Sequence, residues 1–177
     1  MTAQLVAPLG HLIDRFTKDS TPPDDDARRQ VGEELAKLFH VQLDEVAILS
    51  ITRGGNFLQF VLPKELRVIG TIPLNSTSAL AARTARDRKA DALNNFSVVR
   101  HASVFEGVPL GRNPGEMIQK IMSAPILSAN KVVGVVQISR KGHSTADAGP
   151  DFTQHDLRQL IGLSEPLARF IAVCEDS

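Results

Sequence analysis

Apolar residues recur at helical spacing at Leu5, Val6, Leu9, Leu12, Ile13 and Phe16, which predicts an amphipathic first helix. The run stops at Thr17-Lys18-Asp19-Ser20-Thr21-Pro22-Pro23, a cluster of turn formers. A second helix is predicted after Asp24-Asp25-Asp26, whose carboxylates suit the positive end of a helix dipole, with Val31, Leu35, Leu38 and Phe39 along one side. From Glu45 the pattern changes to that of strands. Val46 to Thr52, the turn Arg53-Gly54-Gly55-Asn56 and Phe57 to Leu62 predict a hairpin, and a further short strand around Leu66 to Ile72 ends at Pro73. Ser76, Thr77 and Ser78 offer caps for an Ala/Arg-rich helix over about Ala79 to Lys89. The residues that follow have no clean period.

Order returns with Met117 to Leu127, the turn Ser128-Ala129-Asn130-Lys131, and Val132 to Ser139. These two runs are the best strand candidates in the chain, and Val132 to Ile138 is apolar nearly throughout rather than alternating, as a strand in a sheet covered on both faces would be. Gly134, inside the second, is expected to let another element pack closely. A polar loop from Gly142 to Asp151 then leads to a last helix, where Thr153 and Asp156 have the spacing of a capping box and Phe152 can staple onto Leu157. Leu160, Leu163, Leu167, Phe170, Ile171 and Cys174 supply its apolar stripe. Pro166 lies within that stripe, and a bent but continuous helix is expected there.

Composition narrows the function classes. Lys+Arg (20) equals Asp+Glu (20), which removes the electrostatic footprint of a phosphate-backbone binder. Trp and Tyr are absent, so most stacking platforms for single-stranded nucleic acid are missing as well. With one cysteine, Cys174, no intramolecular disulfide can form, and a reducing, cytoplasmic compartment is the expectation. Pro8, His11 and Asp14 interrupt the only apolar stretch near the start, which argues against a signal peptide or a membrane span.

The string Ile121-Met122-Ser123-Ala124-Pro125-Ile126, then Val133-Gly134-Val135-Val136-Gln137-Ile138, then Asp151-Phe152-Thr153 leading into the last helix resembles the C-terminal part of a GAF domain. Asn94-Asn95-Phe96 through His101 to Phe105-Glu106 is similar to that family's variable pocket-side loop. The likeness runs from about Asp24 to Val173. It implies an α+β, GAF-like fold of the profilin-like and PAS-like kind: a central antiparallel sheet of five or six strands, terminal helices on one face, and loops plus a short helix over the other. It also implies a small-molecule pocket under the segment from Ala90 to Glu116, and terminal helices that pair with those of a second subunit. One domain is expected over 1–177, with residues 1–22 as an N-terminal packing or dimerisation helix and 24–175 as the core.

Candidate site residues follow from that placement. Asn95, Arg100 and His101 could hydrogen-bond a polar ligand, an arginine fork beside an imidazole being suited to carboxylate or phosphate. Ser76 and Ser78 could present hydroxyls and N–H groups to an anion at a helix start, although capping is the simpler task. Some cyclic-nucleotide-binding GAF domains carry Asn-Lys after the strand and Phe-x-x-x-Asp-Glu at the last helix. Here Arg140-Lys141 and Phe152, Asp156 and Leu157 stand at those positions, and a structural Lys141–Asp156 ion pair is the expectation. Arg83 to Lys89 is the one basic concentration, read as a solvated helix face. The five histidines, His11, His40, His101, His143 and His155, show no metal-ligand spacing with Cys, Asp or Glu, so a metal site would have to be assembled from afar.

No catalytic residue, metal or cofactor is therefore expected. Free methionine sulfoxide reductases, a catalytic branch of the GAF family, work through several cysteines where this chain has one. The reading is a sensor that binds a small polar ligand, a nucleotide among the candidates, and signals through its terminal helices as a homodimer to a separate effector, with neither nucleic acid nor membrane as partner. The alternative is a non-enzymatic dimerisation or docking module whose pocket is filled by Phe96, Val99 and Phe105. A cofactor-free enzyme built around His101 is a third reading.

Overall fold

A computed structural model describes residues 3–18, 22–68, 70–96 and 116–175. Helix α1 (Ala3–Lys18) and helix α2 (Asp25–Phe39) come first. Asp24 caps α2 by accepting from Ala27 N at 2.8 Å, and Val31, Leu35 and Phe39 form its buried side. Strands β1 (Val46–Ile51) and β2 (Phe57–Leu62) form the expected hairpin. The third strand is shorter than the pattern predicts. Lys64–Leu66 is a 3-10 turn, and β3 is confined to Thr71–Pro73, where Pro73 lies at a sheet edge that needs no further N–H.

Helix α3 (Leu80–Asp87) follows, and then a strand that the sequence pattern missed, β4 (Asp91–Leu93). Three residues are too few to establish a period, and β4 exists because it pairs with β5 through Asp91–Ser123, Ala92–Met122 and Leu93–Ile121. Strands β5 (Met117–Ser128) and β6 (Lys131–Gly142) form the long central pair. The six strands make one antiparallel sheet in the order β3-β2-β1-β6-β5-β4. This is the α+β arrangement expected, with its sheet covered on both sides.

One face lies under α1, α2 and the two C-terminal helices, α4 (Gln154–Ile161) and α5 (Ser164–Glu175). Val46, Ile48, Met122, Ala124, Ile126, Val136 and Ile138 supply the sheet's share of that core, against Leu9, Ile13, Val31, Leu35, Leu167, Phe170 and Ile171. α1 is pinned to α5 by the Asp14–Arg169 ion pair and by the Phe16 and Phe170 rings, whose centroids are 6.5 Å apart. A Cβ on Gly134 would collide with the Leu49 carbonyl oxygen and come within 2.6 Å of Ile171 Cδ1, so the close approach of β1 and α5 does require glycine there.

The capping box forms as predicted, Asp156 N donating to Thr153 Oγ1 at 3.1 Å and Thr153 N to Asp156 Oδ2 at 2.8 Å. The helix does not continue as a single bent rod. It breaks at Gly162 and Leu163, and Pro166 falls in the first turn of α5, where its missing N–H has no intrahelical partner to lose. Ser164 reaches back to β5, accepting from Leu127 N at 2.7 Å beside the bulge that frees that donor. Among the described residues, no helix is long and apolar enough to cross a membrane.

Candidate functional site

The opposite face of the sheet carries a second core: Ala47, Leu49, Leu58, Phe60, Ile72, Ile118, Ile121 and Val135, covered by Leu80, Ala81, Ala82 and Ala85 of α3 and by Phe96. Within it lies a buried polar group. Ser123 and Gln137 are cross-strand partners on β5 and β6, both 0% exposed, and Thr84 of α3 sits against them. The Thr84 and Ser123 hydroxyls are 2.7 Å apart, and Gln137 Nε2 donates to Ser123 Oγ at 3.2 Å. Thr84 Oγ1 also reaches the Leu80 carbonyl at 3.0 Å. Among the described residues Gln137 Oε1 has no hydrogen-bond partner, although it is sealed from water. An orphaned amide oxygen of this kind costs about 1–3 kcal/mol, so this point of the sheet can accept a hydrogen bond that the described residues do not supply.

The sequence-predicted site residues divide. Arg100 and His101, like Val99 and Phe105, lie outside the described residues, as does most of the segment expected to cover a pocket. Asn95 is exposed, and it is Asn94 that does structural work: it accepts from Phe152 N at 2.8 Å and donates to Phe152 O at 3.0 Å, tying the end of β4 to the start of α4. Neither Ser76 nor Ser78 caps α3, whose N-cap is Ala79 without a side-chain bond; the Ser76 hydroxyl closes the preceding turn, accepting from Ala79 N at 3.2 Å and lying 3.4 Å from that of Ser78. The basic run is exposed but engaged. Arg86 donates to the Leu74 and Ser76 carbonyls, Arg88 to Asn130, and Arg83 pairs with Asp91.

The expected Lys141–Asp156 pair does not form. Lys141 follows the α3 face and donates from Nζ to the Asp44 carbonyl at 2.9 Å, while its backbone N–H meets the buried Glu45 carboxylate at 2.6 Å. Its neighbour Arg140, on the helix face, ties the strand end to the helix start instead. The guanidinium lies 4.4 Å from the centre of the Phe152 ring and donates to the Pro150 and Phe39 carbonyls. Burial pulls the Arg140 pKa down, opposed by the fields of Asp156, Glu45 and Asp151. Beside it Lys120, the cross-strand partner of Arg140, donates to Gly149 O at 2.6 Å and pairs with Asp151 at 2.7 Å. The loop between β6 and α4 is therefore held by two cations.

Beyond the last pair of the long strands, Met117–Gly142, the antiparallel register sets Glu116 opposite His143. Asp147 joins them, so that a ligand atom from each of Glu116, His143 and Asp147 lies within 4.8 Å of the others. Only Glu116 comes from a distant part of the sequence, since His143 and Asp147 are four residues apart. Cys174, 7% exposed at the end of α5, has its pKa pushed up to about 11, burial outweighing the pull of Arg28 and Arg67 while Glu175 adds to the rise. Such a thiol stays protonated at neutral pH and is a poor nucleophile. A groove of 830 Å³ runs between α2 and the β2 end of the sheet, past Gly32, Leu43, Val46 and Leu62. It lies away from the Gln137 cluster.

The polar residues missed from sequence were visible as interruptions. Ser123, Gln137 and Ser139 break two otherwise apolar strands, but only the register shows that Ser123 and Gln137 face each other.

Neither a family model nor a curated protein matches the sequence. Solved structures do. The GAF domain from an Acinetobacter phosphoenolpyruvate-protein phosphotransferase superposes with a TM-score of 0.68 at 17% identity, over 99% of this chain and 97% of that one. The GAF domain from a phosphoenolpyruvate-protein phosphotransferase of Coxiella burnetii gives 0.64 at 11% identity, over 95% of each chain. A free methionine-R-sulfoxide reductase from Neisseria meningitidis, solved with its substrate, gives 0.60 at 11% identity, over 95% of this chain and 88% of that one. GAF domains and an enzyme thus share one architecture, and at these identities it is the architecture that is established: this chain has the GAF fold.

Proposed function

We propose that this chain is a non-catalytic sensor domain that binds a small polar ligand on the α3 side of its sheet and passes the event to its terminal helices. The observation that supports the reading is Gln137 Oε1, a buried acceptor that no described residue satisfies, beside Ser123 and Thr84 on a largely apolar face. A ligand with an N–H or O–H donor would satisfy that oxygen, and binding would be coupled to the helices through β6, which touches α3 on one side and α5 on the other. The protonated, buried Cys174 supports a binding role over thiol chemistry of the reductase kind. Homodimerisation through α1 and α5, a separate effector, a single domain over the whole chain and a cytoplasmic setting belong to the same proposal.

The test is ligand-dependent melting of the full chain against cyclic nucleotides, amino acids and 2-oxo acids. A ligand at about one hundred times its Kd adds about 2.7 kcal/mol of stability, and Gln137→Met should abolish the response. A panel in which nothing raises the melting temperature counts against sensing.

One observation favours the alternative of a docking or dimerisation module. Phe96 is 2% exposed and packs into the α3-side core, filling space that a pocket would use. Under that reading Phe96→Ala lowers stability by about 3 kcal/mol and no ligand restores it.

A further inference from the structure

The geometry points to a binding site for a first-row divalent transition ion at Glu116, His143 and Asp147, at the end of the β5–β6 pair and apart from the α3-side cluster. The three side chains come from two elements that the sheet register brings together. Glu116 immediately precedes β5, His143 immediately follows β6, and the pair Met117–Gly142 fixes them across from each other. Asp147 is returned to the same place by a tight turn in which Ala148 N donates to Ser144 O at 3.1 Å, Asp147 N to Ser144 Oγ at 3.1 Å and His143 N to Asp147 Oδ2 at 3.0 Å.

Gly142 permits this closure. A Cβ there would lie 2.8 Å from Ala148 N and 3.0 Å from its Cα, so a side chain at 142 would push the turn, and Asp147 with it, off the strand end. On its far side the loop is anchored by Lys120 on Gly149 O and Asp151, and by Arg140 on Pro150 O. The donors are thus held by a braced backbone rather than gathered from free coil, which lowers the ordering cost of binding.

The donor set selects the ion. One imidazole nitrogen and two carboxylates place their ligand atoms within 4.8 Å of one another. That limit is slightly wider than the span of about 4.4 Å open to two ligands at a metal–ligand length of about 2.2 Å, so small side-chain rotations would close the set on an ion. Imidazole suits zinc, cobalt, nickel and iron, whereas calcium and magnesium prefer an all-oxygen shell. Three protein ligands leave the remaining positions to water or to an exogenous anion. An ion held there would clamp the start of β5 to the loop that leads into α4.

Chelator-treated full-length chain, titrated with Co²⁺, should develop visible d–d bands that saturate at one equivalent, and Zn²⁺ should displace them. Zn²⁺ should also raise the melting temperature of the chelated chain. His143→Ala and Asp147→Asn alter exposed side chains and should leave the far-ultraviolet spectrum unchanged while weakening binding by a factor of at least about 10–100, the range seen when only a group behind a metal ligand is removed. His155→Ala, an exposed histidine on α4, should bind like the parent. Absence of saturable Co²⁺ or Zn²⁺ binding up to millimolar metal overturns the proposal. So does binding that survives both His143→Ala and Asp147→Asn, or that disappears equally in His155→Ala.

Discussion

The two faces of the central sheet are built from the same strands and have the same burial, yet they differ in chemistry. Under the helices, β5 and β6 present Met122, Ala124 and Ile126 against Val136 and Ile138, and polar side chains enter only at the strand end, where Lys120 and Arg140 reach carbonyls and Asp151. Under α3, the same strands place Ser123 opposite Gln137 and Ile121 opposite Ser139, all at 0% exposure. A sheet–helix interface formed for stability alone needs shape complementarity and nothing more, because every buried polar atom must first recover the hydrogen bond it had to water. On the helix side the strands meet that requirement with aliphatic packing, and the orphaned amide there, Gln159 Nε2, belongs to α4 rather than to the sheet. On the α3 side, polar groups persist at the centre of the strands themselves, and one of them, Gln137 Oε1, is satisfied by no described residue.

The sharpest way to break this contrast is to remove packing from the helix side. Phe170→Ala, at a side chain with no exposure, should lower unfolding free energy by about 4 kcal/mol, measured by urea denaturation; a loss below 1 kcal/mol would mean that this face is not the stabilising one. Gly134→Ala comes next. Its Cβ would press against backbone as well as the tip of Ile171, and only the Ile171 end can rotate away, so about 3 kcal/mol should be lost.

How much of this contrast was legible in the sequence depends on what each part needs to be seen. The capping box at Thr153, the glycine at 134 and the apolar runs of β5 and β6 are local signals, and each occurs where the pattern puts it. The strand β4 and the break before α5 are not local. β4 is defined by its pairing with β5, and the interruption at Gly162 and Leu163 accompanies the bond from Leu127 N to Ser164, which lies 37 residues away in sequence. The tie from strand to helix falls to Arg140 and Phe152 rather than to a Lys141–Asp156 pair, because alternation decides which of two adjacent cations faces the helices and only the register fixes the alternation. The grouping of Glu116 with His143 and Asp147 is hidden for the same reason, since Glu116 and His143 are neighbours only through the hairpin.

Cys174 tests the helix side by pH. Its folded-state pKa of about 11 stands above that of an unfolded cysteine, about 8.5. The folded chain therefore holds this proton more tightly, and the contribution is fully present below about pH 8.5 and is lost as pH rises towards 11. The loss amounts to about 3 kcal/mol. Lysines and other groups titrate over the same range, so the informative quantity is the difference in melting temperature between the parent and Cys174→Ala. That difference should change between pH 8.5 and 11, and a flat difference would mean that the thiol is not sealed within the helix-side core.

The smallest effect bears most directly on the other face. Gln137→Met keeps an unbranched side chain of similar length, removes the orphaned Oε1 and gives up the bond to Ser123, whose hydroxyl still has Thr84 at 2.7 Å. Loss of one satisfied hydrogen bond costs about 1 kcal/mol, and removal of a buried unsatisfied acceptor returns about 1–3 kcal/mol. The variant should therefore be more stable than the parent by about 1 kcal/mol, read from the urea midpoint at unchanged m-value. A stabilising loss of a buried polar group is the mark of a residue kept for something other than folding. A destabilised Gln137→Met would instead show that the amide oxygen is already satisfied in solution, and the α3 face would then be a second packing interface whose polar residues do no more than complete their own hydrogen bonds.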